Sequence, residues 1–351
     1  MSEATHPRVH IRQYLLSLLT ALDLDPAEVE SWPHVSPETY FEAVTRVRNG
    51  TAHLLQFHRQ NEHVDFETGF YIELYGAVAA DYLRLDWSQP EIAPEPEIPE
   101  DWFDGRPGAQ IDVFNQQYCT EPSSLRRARR VVEEIGPSEG KVLLLGDDDL
   151  VSIALARVFR GEIHMLDIDE RVLEFVGEKA PQVERRIVDL SKITMPEDMV
   201  GAYDVVLLDP HWFYAGAVEF LEKAILFLKD EPHARILMSQ CPHFSLGEQG
   251  RFHRWITRHK MKFERIDPWF NWYDLSLLAE PSACSRLLEL EKAFPSALLK
   301  ALAPMPYGFS HLYTLSRTEK PEKGRWWKII KHLFSLMLPK SREEKSSTTF
   351  T

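Results

Sequence analysis

The chain has 351 residues, 44% of them hydrophobic, which suits a globular protein of two domains. Its formal net charge of −14 argues against nonspecific nucleic-acid binding, which needs a basic surface, and suits a cationic or neutral small molecule. Cys119, Cys241 and Cys284 show no metal-ligand spacing and no disulfide framework, and the N-terminus has no signal-peptide pattern. We therefore expect a cytoplasmic protein.

The first predicted domain, residues 1–87, contains three segments with helical spacing: IRQYLLSLLTALDL, SPETYFEAVTRV and DFETGFYIELYGAVAADYLRL. Ser36 and Asp65 stand where helix N-caps are expected. The pattern predicts a small, mostly helical domain. Residues 88–109 are rich in proline and acidic side chains, so we expect an extended linker there.

Residues 110–317 alternate short apolar runs with helical segments. The runs KVLLLG, EIHMLDID, RRIVDL, YDVVLLDP and RILMSQ predict buried strands, with helices between them. This order predicts an α/β fold with a Rossmann-like, doubly wound parallel sheet. A helical segment is predicted around Leu287 to Leu302, and strands predicted in MKFERI and SHLYTLS are expected to complete the sheet.

The C-terminal tail, residues 318–351, is charged and contains the basic amphipathic segment GRWWKIIKHLFSLMLPK at 324–340. Contact of this segment with a membrane is one interpretation. Packing on the protein itself or on a partner is the interpretation that we favour.

The turn after the first predicted strand reads Gly146-Asp147-Asp148-Asp149, where dinucleotide enzymes place a glycine-rich loop around a pyrophosphate. Like charges about 4 Å apart cost roughly 4 kcal/mol at an effective dielectric near 20, so three carboxylates disfavour a pyrophosphate. They also disfavour the carboxylate of S-adenosylmethionine. Decarboxylated S-adenosylmethionine carries only amine and sulfonium charges and fits the turn better.

An aminopropyl group transferred from that donor goes to an amine, which is protonated at neutral pH. A carboxylate beside the attacking nitrogen can hold the ammonium and then accept its proton, and crowded carboxylates raise one another's pKa. The alternative is that Asp147 to Asp149 only cap the following helix. One aspartate suffices for a cap, so three favour a functional role.

Other strand ends carry further candidates. Asp167 and Asp169 stand where acidic side chains bind ribose hydroxyls, or where one of them caps the next helix. Asp189 is placed to bind the adenine amino group or to lie in a plain turn. Asp209 faces the bound small molecule, and His211 follows in an aromatic stretch that orients substrate or simply packs.

A resemblance to a known family rests on five segments: FNQQYCTEPSSLRRA (114–128), LLLGDDDLVSIALA (143–156), LDIDERVLEF (166–175), LLDP (207–210) and FNWYDLSL (270–277). Over residues 110 to 317 the sequence resembles the branched-chain polyamine synthases, or bis(aminopropyl)spermidine synthases. The N-terminal domain would then correspond to a winged-helix-like portion. The family pattern after the fourth strand looks like Asp-Pro-Pro, whereas this sequence has Asp-Pro-His.

The resemblance implies roles for individual residues. Gly146 to Asp149 would line the reaction centre, with Asp148 as the base and Asp149 and Asp209 as its catalytic partners. The remaining candidates divide into cofactor-binding residues (Gly146, Asp147, Asp167, Asp169, Asp189) and residues contacting the polyamine (Tyr118, His211, Tyr273).

The leading hypothesis is therefore an aminopropyltransferase that uses decarboxylated S-adenosylmethionine as co-substrate, extends a polyamine and releases methylthioadenosine, without a metal or prosthetic group. A methyltransferase using intact S-adenosylmethionine is the alternative enzyme. A nonenzymatic nucleotide-sensing regulator is disfavoured by the acidic charge and the lack of a basic recognition helix. We expect a homodimer, although the sequence shows no interface pattern.

Overall fold

A computed structural model describes residues 7–23, 37–60, 66–83, 102–110, 114, 116–136, 139–190, 197–241, 249–275, 283–293 and 295–318. The predicted N-caps Ser36 and Asp65, most of the 88–109 linker and the amphipathic segment 324–340 lie outside these residues. None of the helices in the described ranges is long and apolar enough to cross a membrane.

The described residues form a seven-stranded sheet in the order β3-β2-β1-β4-β5-β7-β6. Strands β1 to β5 pair in parallel, and β7 runs antiparallel to both β5 and β6. The strands are β1 (Lys141–Leu145), β2 (Glu162–Asp167), β3 (Glu184–Ile187), β4 (Val205–Leu208), β5 (Arg235–Gln240), β6 (Met261–Asp274) and β7 (Tyr307–Arg317). The order reverses between β1 and β4, which confirms the predicted Rossmann-like fold.

Helices surround the sheet and also make up the N-terminal region. They are α1 (Pro7–Ala21), α2 (Pro37–Gln60), α3 (Phe66–Tyr82), α4 (Glu121–Ile135), α5 (Val151–Val158), α6 (Glu170–Lys179), α7 (Tyr214–Phe227), α8 (Gln249–Arg258), α9 (Ala283–Ala293) and α10 (Ala297–Leu302). The mostly helical character predicted for the N-terminal region is confirmed. The helical segment predicted from Leu287 to Leu302 forms two helices, because Pro295 stands between them.

The sheet is buried on both faces, as its continuous apolar strands require. Val142 and Leu144 of β1 pack into a core with α4, α5 and α6, whereas Leu143 and Leu145 pack into a second core with α7 and α8. Strand residues alternate between faces, so one five-residue run serves both cores. The parallel register aligns Leu145 with Leu166 and Leu208, which brings three strand ends to one edge.

A third core joins the N-terminal helices to β6, β7 and the two helices between those strands. Residues of α1, α2 and α3 pack there with α9, α10, Trp272 of β6 and Phe309 of β7. The Tyr82 hydroxyl, at the end of α3, donates a hydrogen bond to the Tyr307 carbonyl oxygen at the start of β7. The N-terminal helices therefore pack against the two antiparallel strands, β6 and β7.

Strand β6 extends well beyond the predicted MKFERI, through residue 274. Its register shifts between Phe263 and Arg265 and again between Asp267 and Asn271, around Pro268. Proline lacks a backbone donor, and bulges redirect a strand. The second half of β6 consequently carries its side chains to the carboxyl edge of β4.

Candidate active site

The turn that follows β1 is held in an unusual backbone conformation. Gly146 and Leu150 both have positive φ values, 70° and 57°. The amide of Gly146 donates to the Leu166 carbonyl at 2.8 Å, and the Leu150 amide donates to the Asp147 carbonyl at 2.9 Å. These contacts fold the three aspartates back over the end of the sheet.

Asp147 closes the N-terminus of α5. Its two carboxylate oxygens accept hydrogen bonds from the amides of Val151 and Ser152, each at 2.8 Å. Burial raises the pKa of Asp147 to about 7, against the lowering effect of these bonds. The geometry thus gives Asp147 the capping role that the sequence analysis held as the alternative for the triplet.

Asp148 is in a different situation, because its carboxylate receives no hydrogen bond from the described residues. Arg106 donates to its backbone carbonyl instead. Burial, followed by the nearby charges of Asp149, Asp167 and Asp209, raises the pKa of Asp148 well above its ordinary value. Asp148 therefore lies among the other carboxylates with both of its oxygens available to a ligand.

Asp149 and Asp209 are joined by the buried guanidinium of Arg127, which comes from α4. Arg127 Nη1 lies 2.5 Å from Asp149 Oδ2, and Nη2 lies 2.6 Å from Asp209 Oδ2. The Tyr273 hydroxyl also donates to Asp209 Oδ2, at 2.6 Å. One cation therefore fixes two carboxylates that belong to different strand ends.

The two carboxyl groups of this pair differ in acidity. Burial acts to raise the pKa of Asp149, but Arg127 and Arg106 outweigh it and the pKa is lowered. Burial raises the pKa of Asp209 to about 7, although Arg127 opposes the shift, and the neighbouring Asp149 adds to it. Asp209 thus titrates in the neutral range while Asp149 stays ionised.

A polar network of β6 and its neighbours holds Arg127 in place. Asn271 Oδ1 accepts from Arg127 Nε at 2.8 Å, and Asn271 Nδ2 donates to Ser310 Oγ at 2.8 Å and to Ser239 Oγ at 3.0 Å. On the other side, the Cys119 amide donates to Asp149 Oδ1 at 2.5 Å. Because these groups are buried and paired, the geometry of the guanidinium is rigid.

Asp167 and Asp169 lie at the end of β2. Asp167 accepts from the amide of Asp147 at 2.8 Å and from the amide of Asp169 at 2.9 Å. Asp169 caps α6 and accepts from Gln116 Nε2 at 3.0 Å and from Arg171 Nη2 at 2.5 Å. Asp189, also assigned to the nucleoside, is partly exposed two residues beyond β3.

Tyr118 lies at the rim of the acidic turn, residues Gly146 to Asp149, and its ring is covered by Arg106. Arg106 stacks on its ring with the guanidinium carbon 3.6 Å from the centroid. The Tyr118 hydroxyl donates to the Pro107 carbonyl at 3.0 Å. Burial raises the pKa of Tyr118 to about 12 despite Arg106, so the hydroxyl is neutral.

His211 and its neighbours form the aromatic side of the site, next to Asp209. The His211 ring is half-buried and stacks on Phe213, with centroids 5.2 Å apart. Burial lowers the pKa of His211, so its imidazole is neutral at pH 7. Trp212 meets Tyr273 edge to face at 5.0 Å. An aromatic surface thus borders the Asp209 carboxylate.

Comparison with known proteins places this geometry in a family. Residues 99–295, more than half of the chain, match the family model of the branched-chain polyamine synthase A C-terminal domain. The chain belongs to the branched-chain polyamine synthase family. The resemblance found in the sequence is thereby confirmed.

Individual relatives are moderately similar to this chain. An N(4)-bis(aminopropyl)spermidine synthase of Thermus thermophilus is 30% identical over 179 residues, 49% of this chain and 51% of the relative. An uncharacterized protein of Methanocaldococcus jannaschii is 31% identical over 194 residues, 53% of this chain and 48% of the relative. The alignments thus span about half the length of these curated relatives.

A solved structure of a relative shares the fold of this chain. The branched-chain polyamine synthase of Thermus thermophilus, in complex with N4-aminopropylspermidine and 5'-methylthioadenosine, is 24% identical, with a TM-score of 0.50 over 63% of each chain. The likeness agrees with the Rossmann-like sheet described above.

Several residues of the site were not predicted from the sequence. The most important is Arg127, which the carboxylates share; Arg106, Gln116, Asn271 and Ser310 complete the set. A signal for Arg127 existed, because it falls on the buried stripe of α4 with Ser124, Ala128 and Val131. An arginine among small and apolar residues at helical spacing indicates a buried ion pair.

Proposed function

We propose that this chain is an aminopropyltransferase that moves the aminopropyl group of decarboxylated S-adenosylmethionine to an amine nitrogen of a polyamine and releases methylthioadenosine. The observation that carries the proposal is the Asp148 carboxylate, which has no hydrogen-bond donor among the described residues and lies beside the paired Asp149 and Asp209. Family membership supports the same reaction class.

The proposed step is a displacement at the carbon attached to sulfur. The acceptor nitrogen forms a new bond to that carbon, the carbon–sulfur bond breaks, and the sulfonium becomes the neutral thioether of methylthioadenosine. The acceptor must first lose its ammonium proton to expose a lone pair. Asp148 in its ionised form takes this proton, and the raised pKa that burial and the nearby carboxylates give it makes it a stronger base.

The nucleoside end of the donor would lie along Asp167 and Asp169. Each oxygen of Asp167 already accepts one backbone amide and retains a second lone pair for a ribose hydroxyl. These amide bonds also fix the carboxylate against the acidic turn. Asp189, one strand further along the edge, is assigned to the adenine amino group.

The acceptor would lie on the opposite side, between Asp209 and the aromatic residues. Asp209 provides a carboxylate and the half-buried Trp212 provides an aromatic ring, a combination that suits protonated amines. The buried Tyr273 holds both in place through its hydrogen bond to Asp209 and its edge-to-face contact with Trp212. His211 is neutral and does not repel a cation. Because relatives of this chain are named N(4)-bis(aminopropyl)spermidine synthases, spermidine is the first acceptor to test.

Methyl transfer from intact S-adenosylmethionine remains the competing reaction, and Arg106 is the observation that favours it. Its guanidinium lies against the Asp148 backbone and 3.8 Å from Asp149, where it offers a positive charge to a donor carboxylate. Arg127 also offsets part of the acidic charge that the sequence analysis attributed to the turn.

A binding and product experiment separates the two reactions. The full chain is titrated by calorimetry with decarboxylated and with intact S-adenosylmethionine, and each mixture is then incubated with spermidine for mass analysis. We expect tighter binding of the decarboxylated donor and products heavier by whole aminopropyl units. Tighter binding of the intact donor with addition of a methyl group would contradict the proposal.

A further inference from the structure

A cation is buried at the base of a site that we assign to polycations. The Arg127 side chain is 2% exposed, and four groups receive its hydrogen bonds: Asp149, Asp209, Tyr273 and Asn271. Burial alone would lower the pKa of Arg127, but nearby Cys119, Asp149, Tyr273 and Asp209 hold it above its ordinary value. The guanidinium charge is therefore permanent.

This charge divides the carboxylates of the site into two kinds. Asp149 and Asp209 face Arg127 with one oxygen each, so their combined attraction for another cation is reduced. The Asp148 carboxylate, in contrast, has no such partner among the described residues. Only one of the three is left unpaired for an incoming ammonium.

The division bears on the chemistry of the acceptor. An ammonium held by several ionised carboxylates at once keeps its proton, because each negative charge raises the pKa of the amine. A nitrogen that keeps its proton has no lone pair and cannot attack the donor. Strong binding of the cation and fast transfer therefore make opposite demands on the same carboxylates.

We propose that Arg127 is a positioning residue that occupies the Asp149–Asp209 pair, prevents the two carboxylates from clamping an ammonium, and so leaves Asp148 to take its proton. The inference rests on the proposed function and concerns the same site. It predicts an unusual result: removing a positive charge from the site tightens polyamine binding but slows the reaction.

A purely structural role for Arg127 predicts something else. Arg127 links α4 to β6 through Asn271, so its loss also weakens packing between these elements. In that case binding of spermidine weakens or stays the same, and the pH dependence of the reaction does not move. The sign of the change in spermidine affinity thus separates the two roles.

The test uses the full chain with Arg127→Met and Arg127→Lys. For Arg127→Met at pH 8.5, where a larger fraction of the carboxylates is ionised than at pH 7, we expect spermidine to bind about tenfold more tightly and kcat to fall about 100-fold. Because loss of the guanidinium raises the pKa of the carboxylates around it, the acid limb of the pH–rate profile should shift to higher pH by about one unit. Arg127→Lys, which keeps a charge but spans the pair less well, should lie between wild type and Arg127→Met.

Arg130→Met is the matched control. Arg130 lies one turn along α4, is also largely buried, and pairs with Asp267 of β6 at 2.6 Å, away from the acidic turn. This variant should keep the wild-type pH profile and spermidine affinity. Methylthioadenosine affinity, measured by calorimetry, should stay within about threefold in every variant, because its assigned ligands do not contact Arg127.

The remaining outcomes are decisive. Weaker spermidine binding and an unmoved pH profile in Arg127→Met would overturn the inference. So would failure of both Arg127 variants to fold while Arg130→Met folds. If the wild type binds spermidine but transfers no aminopropyl group, the proposed function fails. The spermidine affinities of wild type and Arg127→Met still test whether Arg127 keeps Asp149 and Asp209 from binding an ammonium together.

Discussion

The two ends of β4 carry an aspartate each, and the two residues behave in opposite ways. Asp204, just before the strand, accepts from the Lys141 amide at 2.8 Å and pairs with Lys229 Nζ at 2.7 Å. Burial would raise the pKa of Asp204, but Lys229 and the Lys141 amide outweigh it and the pKa is lowered. Asp209, just after the strand, has its pKa raised to about 7.

The difference comes from the charged groups that surround each carboxylate. Asp204 also lies near Glu231 and His233, a grouping with the donor atoms of a metal site, but Lys229 already occupies its Oδ1. Asp209 shares its arginine with Asp149 and lies close to Asp148. Carboxylates crowded beyond their supply of cations are costly for the fold and are typical of functional sites.

The largest effect is expected at the unpaired carboxylate. Asp148→Asn removes the proton acceptor without a large change in shape, so we expect kcat for aminopropyl transfer to fall by about 10²- to 10⁴-fold. Binding of methylthioadenosine should be spared, because the nucleoside ligands are elsewhere. Steady-state kinetics and calorimetry measure the two quantities, and unchanged turnover would exclude Asp148 as the base.

Asp209→Asn should have a smaller effect, concentrated on the acceptor. The amide still accepts from Tyr273 but no longer offsets the charge of Arg127, so an approaching ammonium is attracted less, a loss of about 1.5–3 kcal/mol, the range of a charged hydrogen bond. This corresponds to a fall of roughly 10- to 100-fold in kcat/KM for spermidine. An equal loss of affinity for the donor nucleoside would show that Asp209 does not face the amine.

A pH series sharpens the contrast between the two ends of β4. Asp209 is partly protonated at neutral pH in the free protein, because burial raises its pKa to about 7. A cation favours the ionised form, so spermidine affinity should rise between pH 6 and pH 8 by at most about tenfold per unit for each proton released.

Proton release can be measured directly. Calorimetry in two buffers of different ionisation enthalpy gives the number of protons lost when spermidine binds. That number should be positive at pH 6.5 and should fall in Asp209→Asn. Equal proton release in the variant and in wild type would assign the linkage to another carboxyl group.

The sheet was predictable because its signal is local. The runs KVLLLG and YDVVLLDP are apolar on both faces, and the structure places them as the two central strands, β1 and β4. Strand β6 was underestimated because Pro268 and the bulges around it interrupt the pattern. Helix α4 was missed as an element, since four arginines between 126 and 130 hide its apolar stripe.

The site was predictable only in part, for a physical reason. Strand order brings the ends of β1, β2 and β4 together, so Asp148, Asp167 and Asp209 could be named from the sequence. Which carboxylate is capped, paired or unpaired depends on donors from distant segments, such as Arg127 and Tyr273. A run of three aspartates therefore indicates a site without revealing the separate task of each.

The smallest effect on catalysis is expected at the amino end of β4. Asp204→Asn removes the charge that pairs with Lys229, and the new amide still accepts from the Lys141 amide. We expect kcat and KM to stay at wild-type values and the free energy of unfolding to fall by about 1–2 kcal/mol at pH 7. Activity assays and urea unfolding measure the two effects.

The pH dependence of that loss has a definite sign. Because the folded state lowers the pKa of Asp204 from 3.8, its contribution is complete above the unfolded value and disappears as the pH falls through the folded value. Wild type and Asp204→Asn should thus converge in stability below about pH 4. A difference that grows towards acid pH, or a loss of turnover at pH 7, would mean that the two ends of β4 are not separated in function.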